Sequence, residues 1–420
     1  MARVLLLATT TGYQTRAFGD AARVLGLELA FATDRCRVLD DPWRDRAIPI
    51  RFHDEDRSVA DILAAARTHP FDAVIVVGDR PTVIAAKVAE RTNLRGHPAE
   101  AVAIARDKFR MRERLRDSGL PCPWYLTSRI DADWRRLAAS VSFPCVVKPL
   151  ALSASRGVMR ADDSDAFCAA LERLRALLLQ PDIRAERNPA HDWILIEGFI
   201  PGREFALEGL LTDGHLQTLA LFDKPDPLDG PFFEETIYLT PSTLPALTQQ
   251  EIVDAVDRAA AAIGLRHGPV HAECRLNDQG VFVLEIAARP IGGLCARALR
   301  FHCGTGDVSS LEELLLRHAL GHPVENWSRE ACASGVMMIP IPRRGVYRSV
   351  SGLDEARLVD GVDDVTITAR PDQLLVPLPE GASYLGFIFA RGDTPEAVGR
   401  ALRTAYARLH FAVEPELRVV

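Results

Sequence analysis

At 420 residues the chain is too long for one hydrophobic core, so two or three domains are expected. A composition 48% hydrophobic and 25% charged is ordinary for a soluble globular protein, and a net charge of −7 gives nucleic-acid binding no electrostatic support. No run of about eighteen apolar residues offers a membrane span, and the opening MARVLLLATTTG reads as a buried first strand rather than a signal. Eight scattered cysteines without a CxxC pair fit a reducing cytoplasm better than a disulfide or zinc framework.

Residues 1 to about 100 alternate apolar strands with amphipathic helices, and the third apolar run ends at Gly78-Asp79. That pattern predicts a parallel α/β unit. The loop after the first strand, Thr9-Thr10-Thr11-Gly12, lacks the GxGxxG fingerprint, so a Rossmann-like shape here does not imply NAD. One basic helix is expected over 103–118, closed by Gly119 with Pro121 beyond it. Leu120-Pro121-Cys122-Pro123 reads as a rigid connector. Strands and helices then alternate to residue 223, and a loop rich in Asp, Pro and Phe runs from Asp223 to Tyr238. From about residue 331 apolar strands and a last helix predict α/β packing, with two roles open: a cover over a substrate site or a homodimer contact.

Of fifty basic residues only four are lysines: Lys87, Lys108, Lys148 and Lys224. Arginine serves almost wherever a generic positive charge is needed. A retained lysine therefore marks a place for a compact, mobile point charge, as on a phosphate. Lys108 and Lys148 are the stronger candidates.

Three segments carry chemistry. In Phe143–Val158 a buried strand ends at Lys148, and a loop of small residues follows: Ser153, Ala154, Ser155 and Gly157. Small residues let backbone N–H groups turn toward an anion, and hydroxyls add donors. In Ile194–Leu210 an apolar strand meets Glu197, then Phe199 and Ile200, a Pro-Gly turn, and Glu204. That order suits an adenine edge and ribose hydroxyls, although a hairpin with satisfied acids reads the same way. In Gly268–Gly293 two strands flank an Asn-Asp-Gln-Gly turn, each with one carboxylate, Glu273 and Glu285. An odd-numbered loop with a bulge would project both from one face. Two close carboxylates then call for a cation, and an all-oxygen site suits Mg²⁺ with a polyphosphate. A surface hairpin with two solvated acids stays open at this point.

The order Lys108, Lys148, small-residue loop, Glu197, Glu204, Glu273, Glu285, Arg289 resembles the ATP-grasp superfamily of carboxylate–amine ligases. The resemblance covers roughly residues 1–325, with its motifs in 106–293. It implies an N-terminal Rossmann-like α/β domain (1–102) and an ATP-grasp domain (103–325). Within the latter a small lid (about 123–196) closes on an antiparallel sheet, and a C-terminal α/β subdomain (326–420) follows. It implies Lys108 and Lys148 on ATP phosphates and Ser153, Ala154, Ser155 and Gly157 as the phosphate loop. Glu197, Phe199 and Ile200 would hold adenine, Glu204 ribose, and Glu273 and Glu285 one or two Mg²⁺ ions, with Mn²⁺ an alternative.

The run Glu285-Ile286-Ala287-Ala288-Arg289 departs from the usual ExNxR, because Ala287 replaces an Asn ligand. This EIAAR form, with Gly230–Ser242, looks like the bacterial L-amino acid ligase branch, which makes dipeptides. There a loop Glu receives the substrate amino group, and Glu235 matches it. A His is usual three residues later, but Tyr238 stands here, leaving any base unassigned. Arg289 is expected to hold the substrate carboxylate and the tetrahedral intermediate. His271 shares a strand face with Glu273, lining the site or merely packed. The resemblance implies a cytoplasmic, ATP- and Mg²⁺-dependent, ADP-forming ligase working through an acyl phosphate on a small carboxylate and an amine, without nucleic-acid or membrane partners. Alternatives are an ATP-grasp carboxylase or amine ligase of nucleotide metabolism, and a nucleotide-binding protein without turnover.

Overall fold

A computed structural model describes residues 1–9, 14–34, 47–303 and 308–416. Residues Thr10–Gly12 of the first loop lie outside them. Strands β1 (Arg3–Leu7), β2 (Glu28–Thr33), β3 (Ile48–Pro49) and β4 (Ala73–Val76) form a parallel sheet in the order β3-β2-β1-β4. Val4 to Leu7 are wholly buried, as a strand covered on both faces requires. Asp79 follows the carboxyl end of β4, the edge at which open α/β sheets meet ligands.

The single basic helix expected over 103–118 is two helices, Ala99–Arg106 and Lys108–Asp117. Asp107 divides them. Its backbone is extended, and its carboxylate accepts the Phe109 and Arg110 N–H groups at 3.0 and 3.1 Å. Helical periodicity ran through this residue, but a capped Asp starts a new helix. Lys108 thereby stands in a first turn rather than mid-helix.

A small antiparallel sheet follows: β5 (Tyr125–Arg129), β6 (Cys145–Pro149), β7 (Met159–Ala161) and β8 (Trp193–Gly198), in the order β5-β8-β6-β7. Helix Ser164–Leu178 buries Phe167, Leu171 and Leu174 against it. The main sheet has β9 (Arg203–Thr212), β10 (His215–Asp223), β11 (Ile237–Thr240), β12 (Gly268–Asn277) and β13 (Gly280–Ala287). Beyond the small strands β14 (Arg300–Cys303), β15 (Val308–Ser310) and β16 (Trp327–Arg329) it continues with β17 (Ala333–Ile339). After β18 (Gly345–Ser351) come β19 (Val362–Ile367), β20 (Leu374–Leu375), β21 (Gly386–Gly392) and β22 (His410–Glu414). The order of the eight-stranded sheet is β13-β12-β9-β10-β11-β17-β21-β19. The chain after residue 331 therefore extends the main sheet through the β11–β17 ladder. Local sequence gave its strands but not this pairing.

The β12–β13 hairpin turns on only two residues, Asp278 and Gln279, with Asn277 opposite Gly280. An even loop would set Glu273 opposite Leu284 and leave Glu285 on the other face. The register instead shifts by one, so Glu273 faces Glu285 and His271 faces Ala287. The bulge expected at the loop sits inside β13, at Leu284.

Gly202, in the turn between β8 and β9, has φ +115°, and a Cβ there would lie 2.2 Å from the Leu276 carbonyl oxygen. Backbone cannot yield as a side chain can. Gly202→Ala is expected to cost at least about 2 kcal/mol in urea unfolding, against about 1 for Gly214→Ala. Gly214 has φ +94° and open space around it.

Candidate active site

One cleft lies between the β5–β8 lid and the main sheet. It is lined by every site residue that the resemblance implied except Gly157; Tyr238 and the weaker lysine candidates Lys87 and Lys224 are not in its lining. Gly157 faces the lid helix instead: a Cβ there would sit 2.9 Å from Leu174, and its N–H donates to the Pro379 oxygen at 2.8 Å. Tyr238 is buried in β11, with its ring over the Lys224 ammonium at 5.0 Å.

Lys148 and Glu197 are the penultimate residues of the neighbouring strands β6 and β8. Their side chains meet in a buried ion pair, with Arg112 of helix Lys108–Asp117 as a third member. Arg112 is fully buried; its Nε and one Nη donate to the two Glu197 oxygens at 2.8 and 3.3 Å, and its other Nη to the Val283 carbonyl at 3.2 Å. Burial alone would raise the Glu197 carboxyl, but Arg112 and Lys148 outweigh it and hold it at about 2. Burial lowers Lys148 to about 8; Glu197 opposes this, and Arg112 and Lys108 add repulsion. Lys108 donates to the Leu152 carbonyl at 2.8 Å and lies 3.5 Å from Glu285.

Phe199 and Phe233 stack at 6.4 Å and, with Val146, Val158 and Leu228, form an apolar wall. Arg275 braces it, donating to the Ile200 carbonyl at 2.6 Å and to Glu204 at 3.0 Å. The small-residue loop turns tightly: Ala154 and Ser155 both have left-handed backbones, at φ 56° and 54°, and the Arg156 N–H donates to the Ser153 oxygen.

The carboxylates at the cleft floor differ in their partners. Glu204, Glu235 and Glu273 bring one oxygen each within 4.8 Å of one another, as a metal site would. The Lys224 ammonium already occupies that space, contacting Glu204 at 2.7 Å, Glu235 more closely, and Glu273 at 3.6 Å. Its pKa is raised well above the usual value: burial opposes the charge, but Glu204, Glu235 and Glu273 prevail. Burial and the Glu273 charge push Glu235 up. Glu208, fully buried, accepts the Ile291 N–H and a His271 Nδ1 contact at 3.1 Å. Burial opposes charging of His271, yet Glu208 and Glu273 push it up to about 9. Arg289, expected to hold a substrate carboxylate, gives its fork to Asp79 at 2.7 and 3.2 Å and donates from its other Nη to the Pro290 carbonyl at 2.9 Å.

Sequence reasoning missed Arg112, Arg275 and Asp79 and gave Lys224 little weight. Only Lys224 carried a usable signal, as one of four lysines in an arginine-rich chain.

A lid and a sheet gripping lysines, a small-residue loop and facing carboxylates define the ATP-dependent carboxylate–amine ligases. Family descriptions match in chain order: ATP-grasp N-terminal domain (19–96), ATP-grasp domain (141–298) and L-amino acid ligase C-terminal domain 2 (337–414). The crystal structure of L-amino acid ligase from Bacillus licheniformis superposes with a TM-score of 0.82 at 26% identity, covering 99% of each chain. Alanine–anticapsin ligase of Bacillus subtilis is 26% identical over 57% of this chain and 52% of its own length. Carnosine synthase 1 of Gallus gallus is 31% identical over 74% of this chain and 34% of its own. The chain thus spans about half the length of that anticapsin ligase and a third of that synthase. It belongs to the ATP-grasp superfamily, on the side of the L-amino acid ligases. Among the described residues no helix is long and apolar enough to cross a membrane, and all seven cysteines are free.

The Arg112–Glu197–Lys148 cluster generates a stability prediction. Removing one member of a buried ionic group leaves the others uncompensated. Arg112→Met is expected to cost about 3–5 kcal/mol in chemical unfolding. Arg110→Met, on the same helix but half exposed, should cost under about 1 kcal/mol.

Proposed function

We propose that the protein forms an amide bond between the carboxylate of one amino acid and the amine of another, at the expense of ATP. A carboxylate cannot acylate an amine directly, because oxide is a poor leaving group. In the first step a carboxylate oxygen attacks the γ-phosphorus and ADP departs. In the second the amine attacks the acyl carbon, the C–N bond forms, and phosphate leaves. The observation that carries the reading is one cleft holding both lysines, the small-residue loop and the facing Glu273–Glu285 pair beside an apolar slot.

Each residue has a distinct task. The Phe199–Phe233 wall takes the adenine face, and the backbone at Glu197–Ile200 takes its edge, since the Glu197 carboxylate is committed to Arg112 and Lys148. Glu204 keeps spare lone pairs for ribose. Lys108, Lys148 and the Ser153–Ser155 turn carry the phosphates, where preorganised positive charge offsets what the transferring group accumulates. Glu235 receives the ammonium of the activated amino acid. Arg289, positioned by Asp79 and the Pro290 carbonyl, has its remaining N–H donors to offer the reacting carboxylate. The lid excludes water, which would hydrolyse an acyl phosphate.

Glu273 and Glu285 fit a hard divalent cation: they face each other, both are half-buried, and among the described residues neither has a protein cation nearer than 3.5 Å. Mg²⁺ is the natural choice and Mn²⁺ would fit the same oxygens; bound there it would screen phosphate charge. Ala287 adds no oxygen, so a second ion would depend on phosphate or water.

Two outcomes follow. Phosphate release from ATP should be stimulated by an amino-acid pair, with a product lighter by one water than the two reactants together. Glu285→Gln should lower turnover at least about 100-fold. Failure of every carboxylate and amine pair to stimulate release would sink the reading. Secondly, Lys148 is charged below about 8 and neutral above it in the free protein. Affinity for ADP, measured by calorimetry, should weaken as pH rises through 8, approaching about tenfold per unit, and Lys148→Arg should flatten that slope.

A further inference from the structure

Beside the nucleotide cleft lies a second cavity of about 490 Å³, between the parallel-sheet unit and the 186–190 segment. A small hollow of about 20 Å³ shares Arg106 and Ala151 with this cavity, and Lys108, Ser153 and Glu285 with the cleft. Asp79 also lines that hollow. Arg106 thus borders both the cavity and the hollow that adjoins the cleft.

Arg106 stands at the junction. It is the last residue of helix Ala99–Arg106 and is half-buried. Among the described residues it has no hydrogen-bond or ion-pair partner, whereas the charged groups around it do. Of the acids whose charge Arg106 feels, Asp79 is held by Arg289 and Glu186 by His191; Lys108 is held by the Leu152 carbonyl and Lys87 by Glu55. A planar guanidinium left unpaired at the neck of a cavity is an open place for a carboxylate.

A dipeptide-forming enzyme must also tell two carboxylates apart. The donor's has to reach the γ-phosphate; the acceptor's has to be kept from it while its amine comes close. We propose that Arg106, at this junction, binds the α-carboxylate of the acceptor amino acid while its amine meets the acyl phosphate. The inference rests on the ligase reading above. In the step concerned the acceptor nitrogen bonds to the acyl carbon, the bond from that carbon to the phosphate oxygen breaks, and the ammonium's protons pass to the departing phosphate and water.

The test compares acceptors with and without a carboxylate. The wild-type protein is given ATP, Mg²⁺ and the best donor amino acid. It then receives an acceptor amino acid, the same residue as its C-terminal amide, or hydroxylamine, which traps the acyl phosphate as a hydroxamate. The acid is expected to be preferred over the amide at least about tenfold in kcat/KM. Arg106→Ala should erase that preference through the acceptor KM, with hydroxamate formation falling far less than amide formation, and Arg106→Lys should restore part of it. Equal use of acid and amide by the wild type overturns the proposal, as does an unchanged acceptor KM in Arg106→Ala. The wild-type comparison decides even if the variants fold poorly. Absence of hydroxamate from the wild type with any carboxylate would instead remove the ligase reading itself.

Discussion

A carboxylate shut away from water needs its charge answered, and Glu197 is answered by parts of the chain that are far apart in sequence. Arg112 comes from helix Lys108–Asp117 and Lys148 from the strand beside it in the lid. Arg112 also reaches the Val283 carbonyl in the main-sheet hairpin. One buried cluster therefore ties lid, helix and hairpin together, next to the Leu284 bulge that turns Glu285 toward the cleft. Such a cluster adds little net stability over an apolar packing, but loss of any one member strands the rest. It does fix where the Lys148 ammonium stands before any phosphate arrives.

The same accounting separates the acids of the cleft by role. Glu197, Glu204 and Glu208 are buried, and each is held at hydrogen-bond distance by an arginine, a lysine or a histidine. Glu273 and Glu285 are half-buried, and their nearest cations stand at 3.6 and 3.5 Å. Acids with close internal partners have little call for an outside ion; acids that face each other with loose partners do. That contrast supports the metal role proposed for the hairpin pair. It also argues against the Glu204–Glu235–Glu273 group as a metal centre, since Lys224 already supplies the positive charge there.

The sequence made legible whatever is periodic or locally punctuated. The parallel unit, the strand ending at Lys148, the Pro-Gly turn before Glu204 and the two-carboxylate hairpin are all readable from neighbouring residues. What stayed hidden depends on contacts across the chain. The even hairpin loop hides a same-face pair until the Leu284 bulge is seen. The partnership of β11 with β17 joins segments about a hundred residues apart, and nothing local announces it. Arg112 sits in a helix crowded with arginines, where position alone makes it the buried one. The rarity of lysine pointed at Lys108 and Lys148, yet the same reasoning undervalued Lys224, the cation most closely surrounded by acids.

The C-terminal strands also acquire a task from the phosphate loop. Ala154 and Ser155 both occupy the left-handed region without being glycine. Such residues persist only where their surroundings over-determine them. Here the restraint comes from residues 379–380, far along the chain. The Gly157 N–H donates to the Pro379 oxygen and Arg156 Nε to the Glu380 oxygen, both at 2.8 Å. Arg173 of the lid helix grips the Glu380 carboxylate through two bonds of 3.0 Å. Residues 379–380 lie in the connection that leads into β21 of the main sheet, so these bonds fasten the lid to a second part of the chain. The lid is therefore held by two sets of contacts, one through Arg112 and one through Glu380. A loop strained on its own becomes a fixed cradle only because both hold.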